Sequence, residues 1–311
     1  MPALADAAVL VTRGMPERVH RHLAERCRLE VWEGEGVMPR AELLDRAGPG
    51  LRVVANFAVG HDNLDLEACT ARGVQATNTP DVVTEATADL AWALLLAAAR
   101  RVAEGDRFLR ARRPWVWGPE FFLGFEVHGK TLGVIGLGRI GRAVARRAAG
   151  FGMPVLYTAR HRLPPEDEAA LGAAWRELDE LLAEADFVSI HTGLSPATRH
   201  LIGAERLARM KPTAVLVNTA RGPIVDEAAL AAALRTGRPG AAGLDVFERE
   251  PEVHPDLLEL DNATIVPHLG TSTLETRVAM GMSAADNLLA ALEGRRPPNL
   301  LNPDTLGRAP G

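Results

Sequence analysis

Short apolar runs rich in β-branched residues alternate with Ala-, Leu- and Arg-rich stretches along almost the whole chain. That alternation predicts strand-helix-strand units around a parallel sheet, an α/β fold. The first run is Ala8-Val-Leu-Val-Thr12, followed by a helix opening near Pro16 and the strand Leu29-Glu-Val-Trp32. A short helix from Arg40 to Ala47 and the strand Leu51-Arg-Val-Val-Ala-Asn56 complete a small α/β unit of three strands. Asp81 to Arg100 combines capping signals with unbroken helix formers, which predicts a long, largely buried helix able to bridge two domains. A larger α/β unit begins at Lys130, with strands predicted at residues 131–135, 154–158, 187–191, 214–219, 242–246 and 264–266. Between them, Arg112-Arg-Pro-Trp-Val-Trp-Gly-Pro119 predicts an ordered arm whose two tryptophans must bury against something. A helix from Thr273 to Glu293 and a Pro-rich tail close the chain.

At 311 residues a single core is near its size limit, so two domains are expected. Composition narrows the function classes. With 47% hydrophobic and 24% charged residues the chain has ample core, and a net charge of −5 gives no electrostatic footprint for DNA or RNA. Only Lys130 and Lys211 are lysines, so the basic charge is nearly all arginine, as codon bias would produce. Cys27 and Cys69 are far apart with no Cys or His at metal-ligand spacing, which argues against a metal site and for a reducing compartment. The N-terminus lacks a signal-peptide pattern, and the longest apolar run, Leu90 to Ala99, is too short to span a bilayer. A cytoplasmic protein without membrane or nucleic-acid partners is the expectation.

Gly136-Leu-Gly138-Arg-Ile-Gly141 follows an apolar strand and opens a helix predicted over Arg142 to Ala149, the context of a dinucleotide-binding turn. Gly136 serves the tight turn, Gly138 the approach of a pyrophosphate, and Gly141 close helix-strand packing. An acid about 20 residues further on would bind the ribose hydroxyls of NAD. Here Thr158 stands in that place, with Arg160 and Arg162 just behind it. An acid would repel a 2′-phosphate and a guanidinium fork would bind it, so NADP(H) is preferred, with NAD(H) still possible.

Three consecutive predicted strands end in polar groups where ligands sit in such sheets: Arg221, then Glu248 and Glu250, then His268. A cation to hold a carboxylate, an acid to protonate a carbonyl oxygen and a carboxylate to keep that acid protonated fit reduction of a 2-oxo acid. Singly, each residue could be a cap or a turn residue. The loop Asn56 to Asn63, with Val59 and Gly60, could offer backbone N–H groups to a small anion or could be a plain turn.

These motifs, with Asn218-Thr-Ala-Arg221-Gly, Gly243-Leu-Asp245-Val-Phe-Glu-Arg-Glu250-Pro and Pro267-His268-Leu-Gly-Thr-Ser, resemble the D-isomer-specific 2-hydroxyacid dehydrogenase family from Val9 to Pro298. The strand end Tyr157-Thr-Ala-Arg160 and the arm Trp115 to Pro119 are most similar to its glyoxylate/hydroxypyruvate reductases. The resemblance implies a Rossmann cofactor domain over residues 80–270 and a smaller flavodoxin-like substrate domain from residues 1–79 and 271–311. It further implies His268 as proton donor, Glu250 as the group raising its pKa, and Arg221 with the N–H groups of Val59 and Gly60 on the substrate carboxylate. Arg139, Ile140 and Gly141 would line the pyrophosphate, Asp245 and Thr219 would lie near the nicotinamide, and Gly270 would close the site. In such reductases the arm belongs to a homodimer contact, which makes Trp117 a candidate for excluding bulky substrates.

Two departures qualify the match. Relatives usually carry a further strand and helix before the Leu51 strand, where this chain has only Gly48-Pro-Gly50, so one strand-helix unit of the small domain is absent. Either that domain closes with fewer strands and a more open pocket, or activity is impaired. Gly193 stands where relatives often have proline and should loosen a loop beside the cofactor. The competing functions are an NAD-dependent relative such as phosphoglycerate dehydrogenase and a nucleotide-sensing binding protein of the corepressor kind.

Overall fold

The computed structural model describes residues 4–34 and 46–306. Most of the predicted helix Arg40–Ala47 falls outside them. The chain divides into two compact units, one running to Val83 and resuming at Thr271, the other spanning Thr84–Gly270.

In the first unit, β1 (Ala8–Val11) pairs in parallel with β2 (Arg28–Val31), and β3 (Val53–Ala55) with β4 (Gln75–Thr77). Among the described residues these are two separate two-stranded sheets. The strand β4 lies beyond the three predicted: three residues with a single β-branched one give little periodicity to read. Isolated two-stranded pairs are marginal in water, so the unit needs other support. Helix Leu274–Leu292 supplies it, placing Ala285 and Leu289 against Val9, Val11, Val19, Leu23 and Cys27. Its start is capped by Thr273, whose side chain accepts from the Thr276 N–H. The free edge of β4 is covered by the segment after that helix. Leu301 N–H donates to Ala76 O at 2.8 Å, while the buried Asn302 side chain accepts from Ala76 N at 2.9 Å and donates to Val74 O at 2.9 Å. One amide side chain thus satisfies the backbone groups a neighbouring strand would have met.

The second unit is a seven-stranded parallel sheet in the order β11-β10-β9-β8-β5-β6-β7. Its strands are β5 (Leu132–Ile135), β6 (Val155–Thr158), β7 (Ala173–Trp175), β8 (Phe187–Ile190), β9 (Val215–Asn218), β10 (Ala241–Leu244) and β11 (Ala263–Ile265). Every residue of β5, β8, β9 and β10 is buried, as expected for strands covered on both faces, which is why they read as continuous apolar runs. The strand β7 was not among the six predicted, because Ala173-Ala-Trp lacks that signature.

Helix Thr84–Ala99 is the long buried helix predicted; eight of its residues are buried, among them Trp92, Leu94 and Leu95. Trp92 stacks on Phe151 at 4.6 Å and donates its indole N–H to Val144 O at 3.1 Å, fixing this helix to helix Arg139–Ala148. A second apolar layer, including Leu181, Leu207, Met210, Leu230 and Leu234, covers the opposite face. The chain crosses in opposite directions on either side of β5 and β8, and the strand ends on both sides of that reversal carry the candidate site.

Candidate active site

Strand β5 runs into Gly136, whose φ of +93° only glycine adopts without strain. A Cβ there would lie 2.7 Å from His191 O, and one at Gly141 would lie 2.1 Å from Gly136 O, so neither position accepts a side chain. Gly138 differs, since its Cβ would meet nothing within 4 Å. Helix Arg139–Ala148 begins there, three residues earlier than predicted, because Gly138 itself is the N-cap. No side chain caps that ten-residue helix, so Arg139, Ile140 and Gly141 open an uncapped, positive helix end onto clear space. Burial pushes the neighbouring His191 imidazole down to about 3 and keeps it neutral, with Ser189 Oγ 2.7 Å away. At the end of β9 the hydroxyl of Thr219 is buried without a hydrogen-bond partner among the described residues. An open anion-binding turn and an orphaned buried hydroxyl fit a dinucleotide.

Thr158 ends β6, and Arg160 beyond it is exposed, with no side-chain hydrogen bond or ion pair among the described residues. Arg162 is held differently. Its guanidinium forks onto both carboxylate oxygens of Glu168, each at 2.9 Å, and Glu168 also accepts from the Tyr157 hydroxyl at 2.7 Å. The same hydroxyl accepts from Leu163 N at 2.8 Å, which fastens the loop to the strand.

Adjacent strands β9, β10 and β11 bring Arg221, Glu250 and His268 into one cluster. His268 Nδ1 lies 2.8 Å from Glu250 Oε2, and Phe247 N–H donates to Glu250 Oε1 at 3.0 Å. The histidine occupies the left-handed region at φ +53°, an arrangement that persists only where its surroundings hold it. Asp245 does the holding. Its carbonyl accepts from His268 N at 2.9 Å, and its fully buried carboxylate accepts from the N–H groups of Leu269 and Gly270. A Cβ at Gly270 would sit 3.1 Å from that carboxylate. Asn218 steadies the neighbouring turn, donating to Arg221 O at 2.9 Å and accepting from Ala220 N at 3.0 Å.

The electrostatics follow from this geometry. The hydrogen bond to Glu250 raises the His268 pKa against the effect of burial, the charges of Glu250 and Asp245 add to it, and Arg221 opposes. Burial pushes Glu250 up, but the His268 bond, the Phe247 N–H and the charges of His268 and Arg221 outweigh it and leave its pKa lowered. Burial dominates at Asp245 and raises its pKa. The geometry therefore favours the charged imidazole, held through Nδ1 by a carboxylate.

Gly222 connects the loops. A Cβ on it would lie 1.9 Å from the carbonyl carbon of Phe247, so the Arg221 turn and the Glu250 loop touch backbone to backbone. Two acids secure the contact, Glu227, which the sequence did not single out, and Glu248, to which it gave no role of its own. Glu227 and Glu248 each accept the other's backbone N–H, and His200 Nε2 lies 2.9 Å from Glu248 Oε2. Only the Glu248-Arg-Glu250-Pro cluster itself could have hinted at this, since the partners lie 21 and 48 residues away.

Val59 and Gly60 belong to the first unit. Thr79 N–H donates to Ala58 O at 3.0 Å and the Asn78 side chain to Val59 O at 2.8 Å, which orients the peptides that carry the Val59 and Gly60 N–H groups, and neither N–H makes a backbone hydrogen bond among the described residues. In the arm, Trp115 stacks on Phe121 at 5.7 Å but stays 53% exposed, and Trp117 is 76% exposed. Neither ring finds within this chain the burial its sequence predicts. Among the described residues no cluster of His, Cys, Asp or Glu could hold a metal ion, and no helix is long and apolar enough to cross a membrane.

Residues 92–270 match the profile of the D-isomer specific 2-hydroxyacid dehydrogenase, NAD binding domain. The chain is 48% identical to the glyoxylate reductase of Thermococcus onnurineus, covering 97% of this chain and 98% of that one, and 46% identical to that of Pyrococcus furiosus with the same coverage. Both alignments run over 329 positions, more than the 311 residues present here, so these relatives carry residues with no counterpart in this chain. Among solved structures, a Thermus thermophilus protein aligns with a TM-score of 0.88 at 46% identity, covering 94% of this chain and 99% of its own. The NADPH-dependent glyoxylate/hydroxypyruvate reductase of Sinorhizobium meliloti, in complex with NADP and malonate, aligns with a TM-score of 0.84 at 32% identity over 98% of this chain and 99% of its own.

Proposed function

The chain belongs to the D-isomer-specific 2-hydroxyacid dehydrogenase family and is an oxidoreductase acting on a 2-oxo acid, and from that premise we propose that it reduces glyoxylate or hydroxypyruvate to the D-2-hydroxy acid with NADPH. The observation that carries this reading is the His268–Glu250 contact of 2.8 Å at the end of β11, beside Arg221. A bound nicotinamide would supply the hydride. Gly136, Gly138, Arg139, Ile140 and Gly141 would hold its pyrophosphate, Thr158, Arg160 and Arg162 the adenosine end, and Thr219, Asp245 and Gly270 the nicotinamide end. The glyoxylate reductases among the relatives and the NADP complex of the Sinorhizobium reductase support the substrate class and the cofactor.

In this reading Arg221 binds the substrate carboxylate through its guanidinium fork. The backbone N–H groups of Val59 and Gly60, in the first unit, are of the kind that receives a small anion, and Trp117 limits substrate size within a homodimer. His268 donates its Nε2 proton to the carbonyl oxygen, while Glu250 stabilises the charged imidazole before the reaction and Asp245 fixes the turn that aims it. Assay of a panel of small 2-oxo acids with NADPH and NADH tests this. Turnover of glyoxylate or hydroxypyruvate with higher efficiency for NADPH is expected, and no turnover on any member would overturn it.

The pair also sets a pH dependence. The proton donor works only while charged, so reduction should fall as pH rises through the raised His268 pKa. In Glu250→Gln the bond and charge that raise it are lost, and the basic limb of the kcat/KM profile should move to lower pH, with kcat down about 100-fold. An unmoved limb would show that Glu250 does not tune His268.

A further inference from the structure

We propose that Glu168 is a specificity-determining residue, an internal anion that occupies Arg162 and so limits how strongly the chain favours NADPH over NADH. The inference rests on the reading that the loop after β6 receives the adenosine 2′-phosphate. In that loop the two cations behind Thr158 are unequal. Arg160 is exposed and uncommitted among the described residues, whereas Arg162 presents Nε and Nη2 to the two oxygens of Glu168, the geometry a phosphate would need. The same donors cannot serve both anions.

The carboxylate is the better-anchored partner. The Glu168 side chain is 12% exposed against 63% for Arg162, and buried Tyr157 donates to it from the strand. The preceding residue repeats the device, as Asp167 takes Arg142 at 3.1 Å from the helix that opens at the glycine turn. Helix Pro165–Leu171, with Glu166, Asp167 and Glu168 in its first turn, thus neutralises two of the arginines at this corner and leaves Arg160, among the described residues, as the uncommitted guanidinium behind Thr158. A 2′-phosphate must either displace Glu168 or be read by Arg160 with a carboxylate nearby. In both cases discrimination is weaker than two arginines would give.

The test measures dissociation constants of NADPH and NADH by calorimetry on the full chain, with no turnover required. Glu168→Gln removes the charge but keeps an acceptor for Tyr157. It should raise the NADPH preference, the ratio of the NADH to the NADPH constant, about tenfold while leaving NADH binding unchanged, and the gain should vanish when Arg162→Ala is added. Arg160→Ala should lower the ratio at least tenfold, which tests the underlying cofactor reading separately. If Arg160→Ala lowers the ratio and Glu168→Gln leaves it unmoved, the competition fails while the NADPH reading stands. A ratio indifferent to both changes removes both. Equal weakening of the two cofactors in Glu168→Gln would make the residue a structural strut and overturn the proposal.

Discussion

Replacing His268 by glutamine should lower kcat for 2-oxo acid reduction about 1,000-fold while the dissociation constant of NADPH stays within about twofold of its original value. General acid catalysis contributes roughly 100- to 10,000-fold, and no other titratable side chain in the cluster can replace it. Glu250 is held ionised, and Asp245 uses its carboxylate on two backbone N–H groups. Because position 268 is left-handed, some loss could come from a relaxed turn. Asparagine tolerates that conformation best among the polar residues, so His268→Asn should keep the turn and lose the rate equally. Steady-state kinetics at saturating cofactor, with cofactor affinity measured separately, decide the matter. Turnover within tenfold of the unmodified enzyme would remove His268 from the role.

Adding a single methyl group at Gly222 should do comparable damage by a different route. The new Cβ would fall 1.9 Å from the carbonyl carbon of Phe247 and 2.4 Å from Glu248 N, so two backbones would have to part. Overpacking costs about 1 to 3 kcal/mol when side chains can yield, and backbone yields less easily. For a unit of this size a loss near 3 kcal/mol lowers Tm by about 6 to 12 °C. The displaced segments carry Arg221 on one side and Glu250 on the other, so kcat/KM should fall about 100-fold even where the protein remains folded. Calorimetry and kinetics on Gly222→Ala check both. An unchanged Tm would mean that the loops are not in the contact described.

The second unit was largely legible in the sequence because its central strands are buried on both faces, which leaves runs such as Leu132-Gly-Val-Ile and Val215-Leu-Val-Asn uninterrupted by charge. Strands β4 and β7 escaped because Gln75-Ala-Thr and Ala173-Ala-Trp are poor in β-branched residues, and the helix after Ile135 was placed late because a glycine N-cap leaves no polar marker. Arg221, Glu250 and His268 could be found because strand ends in parallel sheets point at ligands. Their support could not. Asp245 reaching Leu269 and Gly270, and Glu227 exchanging hydrogen bonds with Glu248, join residues 21 to 25 apart through carboxylate-to-backbone contacts that no residue pattern records. Glu168 was missed for a related reason: an acid on an exposed helix reads as solubility until its arginine is seen.

The first unit is assembled from both ends of the polypeptide, and this bears on how it forms during synthesis. Strands β1 to β4 leave the ribosome well before helix Leu274–Leu292, whose Ala285 and Leu289 complete the core that Val9 and Val11 of β1 enter, and before Asn302, which seals β4. The intervening Thr84–Gly270 segment is continuous and holds its own core, so it can fold as a unit while the earlier strands wait. The nascent N-terminal portion is then the stretch that waits longest for its core, and a chain released between residues 270 and 274 carries a complete nucleotide-binding segment beside an unfinished first unit.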